Sequence, residues 1–233
     1  MKLYNEDCLQ TLLYMPDESV DLVLTDCPYH IVQGGCTNIP AKDECGGISN
    51  KRSTFTRQNA KSGKLFDNND IKFEEWLPAI YRVLKQDTHC YIMINPRNLA
   101  ELQTKAEKVG FKFQNILIWY KNNSLPNRYY LNSYEMILML RKGKARNINN
   151  MGTKNVLEIK NIIGNKSHPT EKPVELMKIL IENSTNGGGI VLDPFMGTGA
   201  TGVACKESGR DFIGIEIDKK YYDIAKERIG EEI

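Results

Sequence analysis

The stretch Thr25-Asp26-Cys27-Pro28-Tyr29-His30 follows an apolar run, Val20-Asp21-Leu22-Val23-Leu24. A buried-looking strand that stops on a carboxylate, a proline and an aromatic ring brings polar chemistry to a sheet edge. In open α/β sheets, ligands bind beyond the carboxyl ends of the strands. Three more acids follow apolar runs in the same way: Asp7 after residues 2–5, Asp193 after Ile190-Val191-Leu192, and Glu216 after Gly214-Ile215. Four carboxylates on one edge suit a ligand rich in hydroxyl and amino donors, and cationic if charged. They do not suit a bare polyphosphate.

The segment DPFMGTGATG, residues 193–202, contains Gly197-x-Gly199-x-x-Gly202 between a strand pattern and a helix pattern. Glycines there let backbone approach a nucleoside and open a helix without side-chain obstruction. Glu216 lies about 20 residues beyond the loop, where an acid binds ribose hydroxyls. A nicotinamide dinucleotide fits less well. Asp193 and Phe195 put an anion and a ring at the approach to the loop, which repels a pyrophosphate and welcomes an ammonium group.

The elements that must position these residues are legible. Strand patterns fall at residues 2–5, 20–25, 90–94, 115–120, 136–140, 190–192 and 212–217. Helical patterns fall at residues 7–14, 73–86, 97–109, 173–183, 201–208 and 219–229, with Gly110, Gly209 and Gly230 as stops. Alternating strands and helices predict a doubly wound, mostly parallel seven-stranded α/β sheet. Residues 115–120 and 136–140 have no helix between them and predict an antiparallel edge hairpin. Residues 31–70 and 141–166 are long, polar and loop-like.

The bulk numbers bound the class. A chain of 233 residues accommodates one α/β domain with modest insertions. No apolar run is long enough to span a membrane, and the first residues lack an apolar signal core, so a cytoplasmic protein is expected. Six irregularly spaced cysteines read as reduced thiols. Cys27, Cys36, Cys45 and His30 lack the close Cys-x-x-Cys pair of structural zinc sites, so no metal is expected. Net charge is only +2, but residues 46–66 carry five basic side chains and no acid, as do residues 136–157. Local basic stretches in a near-neutral chain fit a face turned towards nucleic acid, and equally a pair of solvated loops.

Three motifs in this order resemble the permuted β group of S-adenosylmethionine-dependent DNA amino-methyltransferases, over nearly the whole chain. TDCPYH resembles their catalytic D-P-P-Y motif, HPTEKPVEL (residues 168–176) the segment preceding the cofactor loop, and DPFMGTGATG the cofactor loop itself. The resemblance implies a circularly permuted Rossmann-like methyltransferase fold, which explains a cofactor strand so late in the chain. It implies S-adenosylmethionine as cofactor, with Phe195, Gly197 and Gly199 lining its site and Asp193 near its ammonium group. Glu216 would hold the ribose and Asp7 would lie near the adenine. His168, Thr170 and Lys172 would close the methionine end.

The resemblance further implies that Asp26 and the backbone carbonyl of Cys27 accept the two N–H groups of an exocyclic amine. Pro28 would shape the pocket and Tyr29 would stack on a base flipped out of double-stranded DNA. Trp119 and Tyr120 would help hold that base, and for Trp119 a place in the core is an equal alternative. Aspartate at the first motif position favours adenine N6. Cytosine N4, an RNA base and a non-catalytic DNA-binding relative are the alternatives. Cys27 stands where the family has proline, which leaves the carbonyl in place and removes the φ restraint.

Lys51, Arg52, Arg57, Lys61, Lys64 and Arg128 are candidate DNA contacts, and residues 31–70 and 121–166 candidate recognition insertions. A homodimer and a cognate restriction endonuclease are expected partners by analogy with the group.

Overall fold

The computed structural model describes residues 1–28, 71–125, 130–162 and 171–230. The chain divides into two compact units, Met1–Cys27 with Lys72–Ile233, and Pro28–Ile71. The fold that follows is that of the first.

Six helices and eight strands are found among the described residues. The strands are β1 (Lys2–Tyr4), β2 (Val20–Asp26), β3 (Leu84–Ile94), β4 (Lys112–Leu125), β5 (Asn132–Lys142), β6 (Val156–Glu158), β7 (Ile190–Asp193) and β8 (Asp211–Ile215). The helices are α1 (Cys8–Tyr14), α2 (Phe73–Val83), α3 (Leu99–Val109), α4 (Val174–Ser184), α5 (Ala200–Glu207) and α6 (Lys219–Ile229). All eight strands form one sheet in the order β1-β8-β7-β2-β3-β5-β4-β6. From β1 to β3 every pairing is parallel, β5 runs antiparallel to both β3 and β4, and β6 pairs parallel to β4.

The predicted α/β sheet and its hairpin are therefore present, with one strand more than expected. Val156-Leu157-Glu158 is too short to show alternation, and its pairing with Ile118, Trp119 and Tyr120 is what makes it a strand. The helix predicted over residues 73–86 stops at Val83 and runs through Pro78, because Leu84 already belongs to β3.

Period-two alternation sorts the side chains of the central strands onto two faces. Leu22, Leu24, Tyr91, Met93, Ile137 and Met139 join a core with Leu176, Leu180 and Ile181 of α4, Ala204 of α5 and Ile229 of α6. On the other face α2 and α3 bury Trp76, Leu77, Ile80, Leu102 and Ala106. A strand covered on both faces reads as a continuous apolar run, as β2 does. Asp7 starts α1, its carboxylate accepting from the amide of Leu9 at 2.9 Å. Asp218 starts α6 in the same way.

Candidate active site

β2 lies between β7 and β3, and Leu22 and Val23 pair with Val191 and Leu192. Parallel register brings the carboxyl ends of β2 and β7 side by side, with Asp26 on one and Asp193 on the other. Chain order reverses across this pair of strands, and that crevice is where such sheets bind ligands.

Asp193 is buried. Its Oδ1 accepts from Thr25 Oγ1 at 2.7 Å and from the amide of Phe195 at 3.1 Å, and its Oδ2 accepts from Thr201 Oγ1 at 2.7 Å. Burial pushes its carboxyl up to about 6, against the pull of the two threonine hydroxyls and the Phe195 amide. Asp193 therefore ties β2, the loop and α5 together.

The glycines of the loop divide by what surrounds them. Gly197 has φ +53°, and a Cβ there would meet nothing within 4 Å among the described residues, which leave open space over its backbone. At Gly202 a Cβ would lie 2.4 Å from Ile229 Cδ1 and 2.8 Å from Phe212 Cε1, so this glycine lets α5 pack closely on β8 and α6. Glu216 braces the loop, its Oε2 accepting from the amide of Gly197 at 3.0 Å and its Oε1 from that of Asp218 at 2.8 Å. Burial raises its carboxyl, and these amides oppose the rise. Arg228 Nη1 donates to the carbonyl of Thr198 at 2.8 Å, while Nη2 pairs with Glu171 Oε1 at 2.8 Å. The glycine loop and the segment entering α4 are thus joined through one guanidinium.

Open space at Gly197, the nearby carboxylate of Glu216 and the ring of Phe195 fit a nucleoside with a cationic amino-acid arm. Phe195 meets Trp76 edge to face at 5.3 Å between centroids. The Nε1 of Trp76 is buried without a hydrogen-bond partner among the described residues.

Asp26 sits at the end of β2 with 29% of its side chain accessible. Lys172 Nζ meets its Oδ2 at 2.5 Å and Glu135 Oε2 at 3.4 Å, and Lys121 pairs with the other oxygen of Glu135. Burial pushes the Asp26 carboxyl up, Lys172 draws it back, and Glu135 adds to the rise. Burial also acts on Glu135, but Lys172 and Lys121 outweigh it and hold that carboxyl below its ordinary value. Cys27 is buried, with its thiol 3.7 Å from the carbonyl of Met93. Burial, followed by the charge of Asp26, pushes the thiol well above its usual range.

The structure brings Asp26, Cys27, Lys172, Asp193, Phe195, Gly197, Gly199 and Glu216 into the first unit, on or beside the carboxyl edge of the sheet. Lys172, expected at the methionine end of the cofactor, is found on Asp26. Trp119, expected at the base, is buried in the core with Nε1 donating to the carbonyl of Ile159 at 2.8 Å. Tyr120, its neighbour on the other face of β4, is 47% exposed. Tyr29, His168, Thr170, Lys51, Arg52, Arg57, Lys61, Lys64 and Arg128 lie outside the described residues, and so do Cys36 and Cys45. Within 121–166, the end of β4, all of β5 and all of β6 are strands of the sheet, which confines any insertion to the segments outside them.

Thr25, Thr201, Glu135, Glu171 and Arg228 were not singled out in the sequence. For Thr25 and Thr201 the available signal was their polarity within an apolar strand and a small-residue helix. Glu135, six residues before the basic run of β5, carried none.

A family model described as DNA methylase matches residues 20–227. Over its whole length the chain is 32% identical to the Type II methyltransferase M2.DpnII of Streptococcus pneumoniae, covering 90% of that protein. It is 30% identical to the Type II methyltransferase M.HinfI of Haemophilus influenzae, across 97% of this chain and 67% of the relative. Among solved structures, the M1.HpyAVI–SAM complex matches with a TM-score of 0.69 at 26% identity, covering 97% of this chain and 98% of the other. The cytosine-N4-specific PvuII DNA methyltransferase matches with a TM-score of 0.73 at 17% identity, over 99% and 86% of the two chains, which is a likeness of fold. The chain belongs to the DNA methylase family of N6/N4 methyltransferases, which take their methyl group from S-adenosylmethionine.

Proposed function

We propose that the chain methylates the N6 amine of an adenine rotated out of double-stranded DNA at a specific site. The observation that carries this reading is Asp26. One of its oxygens is held by Lys172, and the other bears no hydrogen bond among the described residues, at the sheet edge beside the cofactor loop. That free oxygen accepts one N–H of the amine and the carbonyl of Cys27 accepts the other, which turns the nitrogen lone pair out of conjugation with the ring. S-adenosylmethionine, when bound, would supply an electrophilic methyl to that lone pair, with sulfur as the leaving group and the surplus amine proton passing to solvent.

Phe195, Gly197, Gly199 and Glu216 hold the cofactor, with Asp7 towards its adenine. Asp193, its oxygens committed to Thr25, Thr201 and Phe195, acts on the ammonium group through its charge. Pro28, Tyr29 and Tyr120 hold the flipped base. His168 and Thr170 close the cofactor site. Lys51, Arg52, Arg57, Lys61, Lys64 and Arg128 position phosphates, and residues 31–70 with the parts of 121–166 outside the strands of the sheet read the site. A cytoplasmic location, a homodimer and a cognate restriction endonuclease belong to the same reading. Its support is the Type II naming of both relatives.

The test is long-read sequencing of host DNA from cells expressing the chain, which reports the modified base and its context. The expected result is N6-methyladenine at one short sequence, abolished by Asp26→Ala while S-adenosylhomocysteine binding persists. N4-methylcytosine would replace adenine as the target. No modified base, with cofactor and DNA both bound, would make the chain a non-catalytic relative.

A further inference from the structure

Asp26 on β2 and Glu135 on β5 are separated by one strand, β3, and both turn a carboxylate to the same ammonium. Lys172 Nζ lies 2.5 Å from Asp26 Oδ2 and 3.4 Å from Glu135 Oε2, and only 8% of its side chain is accessible. Beyond Glu135 stands Lys121, whose ammonium lies 4.6 Å from the centre of the Trp119 ring. The four charges alternate, Asp26, Lys172, Glu135, Lys121, and cancel. A buried ammonium is costly unless paired and bonded, and here a second carboxylate shares the burden. Its backbone is fixed on both sides. Glu171 is anchored to Arg228 of α6 at 2.8 Å, and Pro173 caps α4.

For Asp26 to present an acceptor at either oxygen, its carboxyl must be ionised and turned the right way. A protonated oxygen would present a donor where an acceptor is needed. Burial drives Asp26 towards that unwanted form, and a cation in contact opposes it. A carboxylate gripped at one oxygen also loses its rotational freedom and leaves the other oxygen for substrate.

We infer that Lys172 is a positioning residue for methyl transfer: backed by Glu135, it clamps Oδ2 of Asp26 and leaves Oδ1 for the target amine. This rests on Asp26 as the carboxylate that receives the amine, and it takes Lys172 away from the cofactor. Among the described residues, the charged and titratable groups facing Asp26 are Lys172 from the segment entering α4, Glu135 from β5, Lys121 from β4, Asp193 from β7 and the adjacent Cys27 thiol.

The experiment is steady-state methylation of duplex DNA carrying the site across pH 5.5–9, with S-adenosylhomocysteine binding measured by calorimetry on the same preparations. For Lys172→Met, kcat falls on the order of 10²-fold at pH 7.5, the scale of one lost preorganised charge contact. The acid limb of its kcat profile moves up by about one pH unit or more, because Asp26 has lost its cation. S-adenosylhomocysteine affinity stays within about threefold, since the change lies in the transition state and not in ground-state cofactor binding. Lys172→Arg recovers both rate and limb in large part. Glu135→Gln lowers kcat about tenfold, less than loss of the clamp itself, with no upward move of the limb, since it removes an anion beside Asp26.

A lost S-adenosylhomocysteine affinity with unchanged kcat in Lys172→Met overturns the assignment and returns Lys172 to the cofactor. A lowered kcat with an unmoved limb overturns it in favour of a purely structural role. Should Lys172→Met not fold, Glu135→Gln decides, and wild-type kcat there overturns the clamp. Asp26→Ala separates the two levels. If it still turns over, the carboxylate reading fails and this inference with it. If it is inactive while Lys172→Met behaves as wild type, only the role of Lys172 fails.

Discussion

Thr25 donates its hydroxyl to Asp193 at 2.7 Å, across the boundary between β2 and β7. The residue before Asp26 is thereby bonded to the residue that begins the glycine loop. On the proposed assignment, any shift of β2 against β7 would move the acceptor of the amine relative to the methyl donor, and near-attack geometry tolerates little of that. Thr201 on the second oxygen of Asp193 extends the tie into α5. One buried carboxylate therefore sets the spacing between two half-sites.

That carboxylate gives a stability signature. Asp193 titrates near 6 in the folded protein against an ordinary 3.8. The folded state holds the proton more tightly, so the stabilisation from this group is complete below about 3.8 and is lost as pH rises through about 6. Two units correspond to about 3 kcal/mol. Asp193→Asn removes the titration. Its unfolding free energy relative to the parent should therefore rise by about 2 kcal/mol between pH 4.5 and 7.5, whatever the constant offset from altered hydrogen bonds. Denaturant titrations at four pH values measure this, and a flat difference would sink it.

The glycines should separate into binding and packing classes. Gly202→Ala drives a methyl into Ile229 and Phe212, and overpacking of this kind costs about 1–3 kcal/mol. Gly197→Ala meets no atom, and its left-handed backbone costs about 1 kcal/mol. Its methyl instead enters the open space where the cofactor backbone contact is made, so the KM for S-adenosylmethionine should rise about tenfold, the effect of one lost ground-state contact. Thermal melts with cofactor titrations distinguish the two. Equal cofactor defects in both variants would contradict the division.

How much of this was legible follows from the range of each interaction. Strands β1, β2, β7 and β8, and the acids ending or following them, could be read because alternation, apolar runs and turn residues are local signals. The eighth strand, Val156–Glu158, could not, because three residues carry no period and only β4 makes them a strand. The same holds for the clamp. Asp26, Glu135 and Lys172 are spread over most of the chain, and no spacing announces that two acids share one lysine. Lys172 stands out through its motif, but the motif carries no sign of its contact with Asp26. Trp119 and Tyr120 carry the opposite lesson, since adjacent residues in a strand face opposite sides. Only the second is left on the surface.

Trp76 offers a reporter of cofactor binding. It touches Phe195 edge to face, and its indole N–H is buried without an acceptor among the described residues. The chain has two tryptophans, so Trp119→Phe leaves Trp76 as the sole indole. Titration of that variant with S-adenosylhomocysteine should give a saturable emission change whose midpoint agrees with calorimetry, because ligand against Phe195 alters the edge contact. Phe195→Leu should weaken affinity about tenfold, roughly the 1–1.5 kcal/mol of an aromatic contact. NAD should leave the emission unchanged. An unaltered spectrum at saturating S-adenosylhomocysteine would place Phe195 away from the ligand.

Cys27 interrupts the family's motif, and the structure makes its side chain a spectator. The thiol is buried against the carbonyl of Met93, and burial with the Asp26 charge keeps it protonated far above neutral pH. A thiolate is the reactive form, so native protein should resist Ellman's reagent at Cys27 and keep its activity. On the proposed mechanism the group that acts on substrate is the carbonyl, which every residue type supplies. Cys27→Ala should then hold kcat within about threefold and lose about 1 kcal/mol of stability for the small cavity. Cys27→Pro should likewise retain turnover, since proline keeps the carbonyl and restricts only φ. If Cys27→Ala loses turnover while S-adenosylhomocysteine and DNA still bind, the sulfur itself takes part, and the amine is held by more than Asp26 and a peptide oxygen.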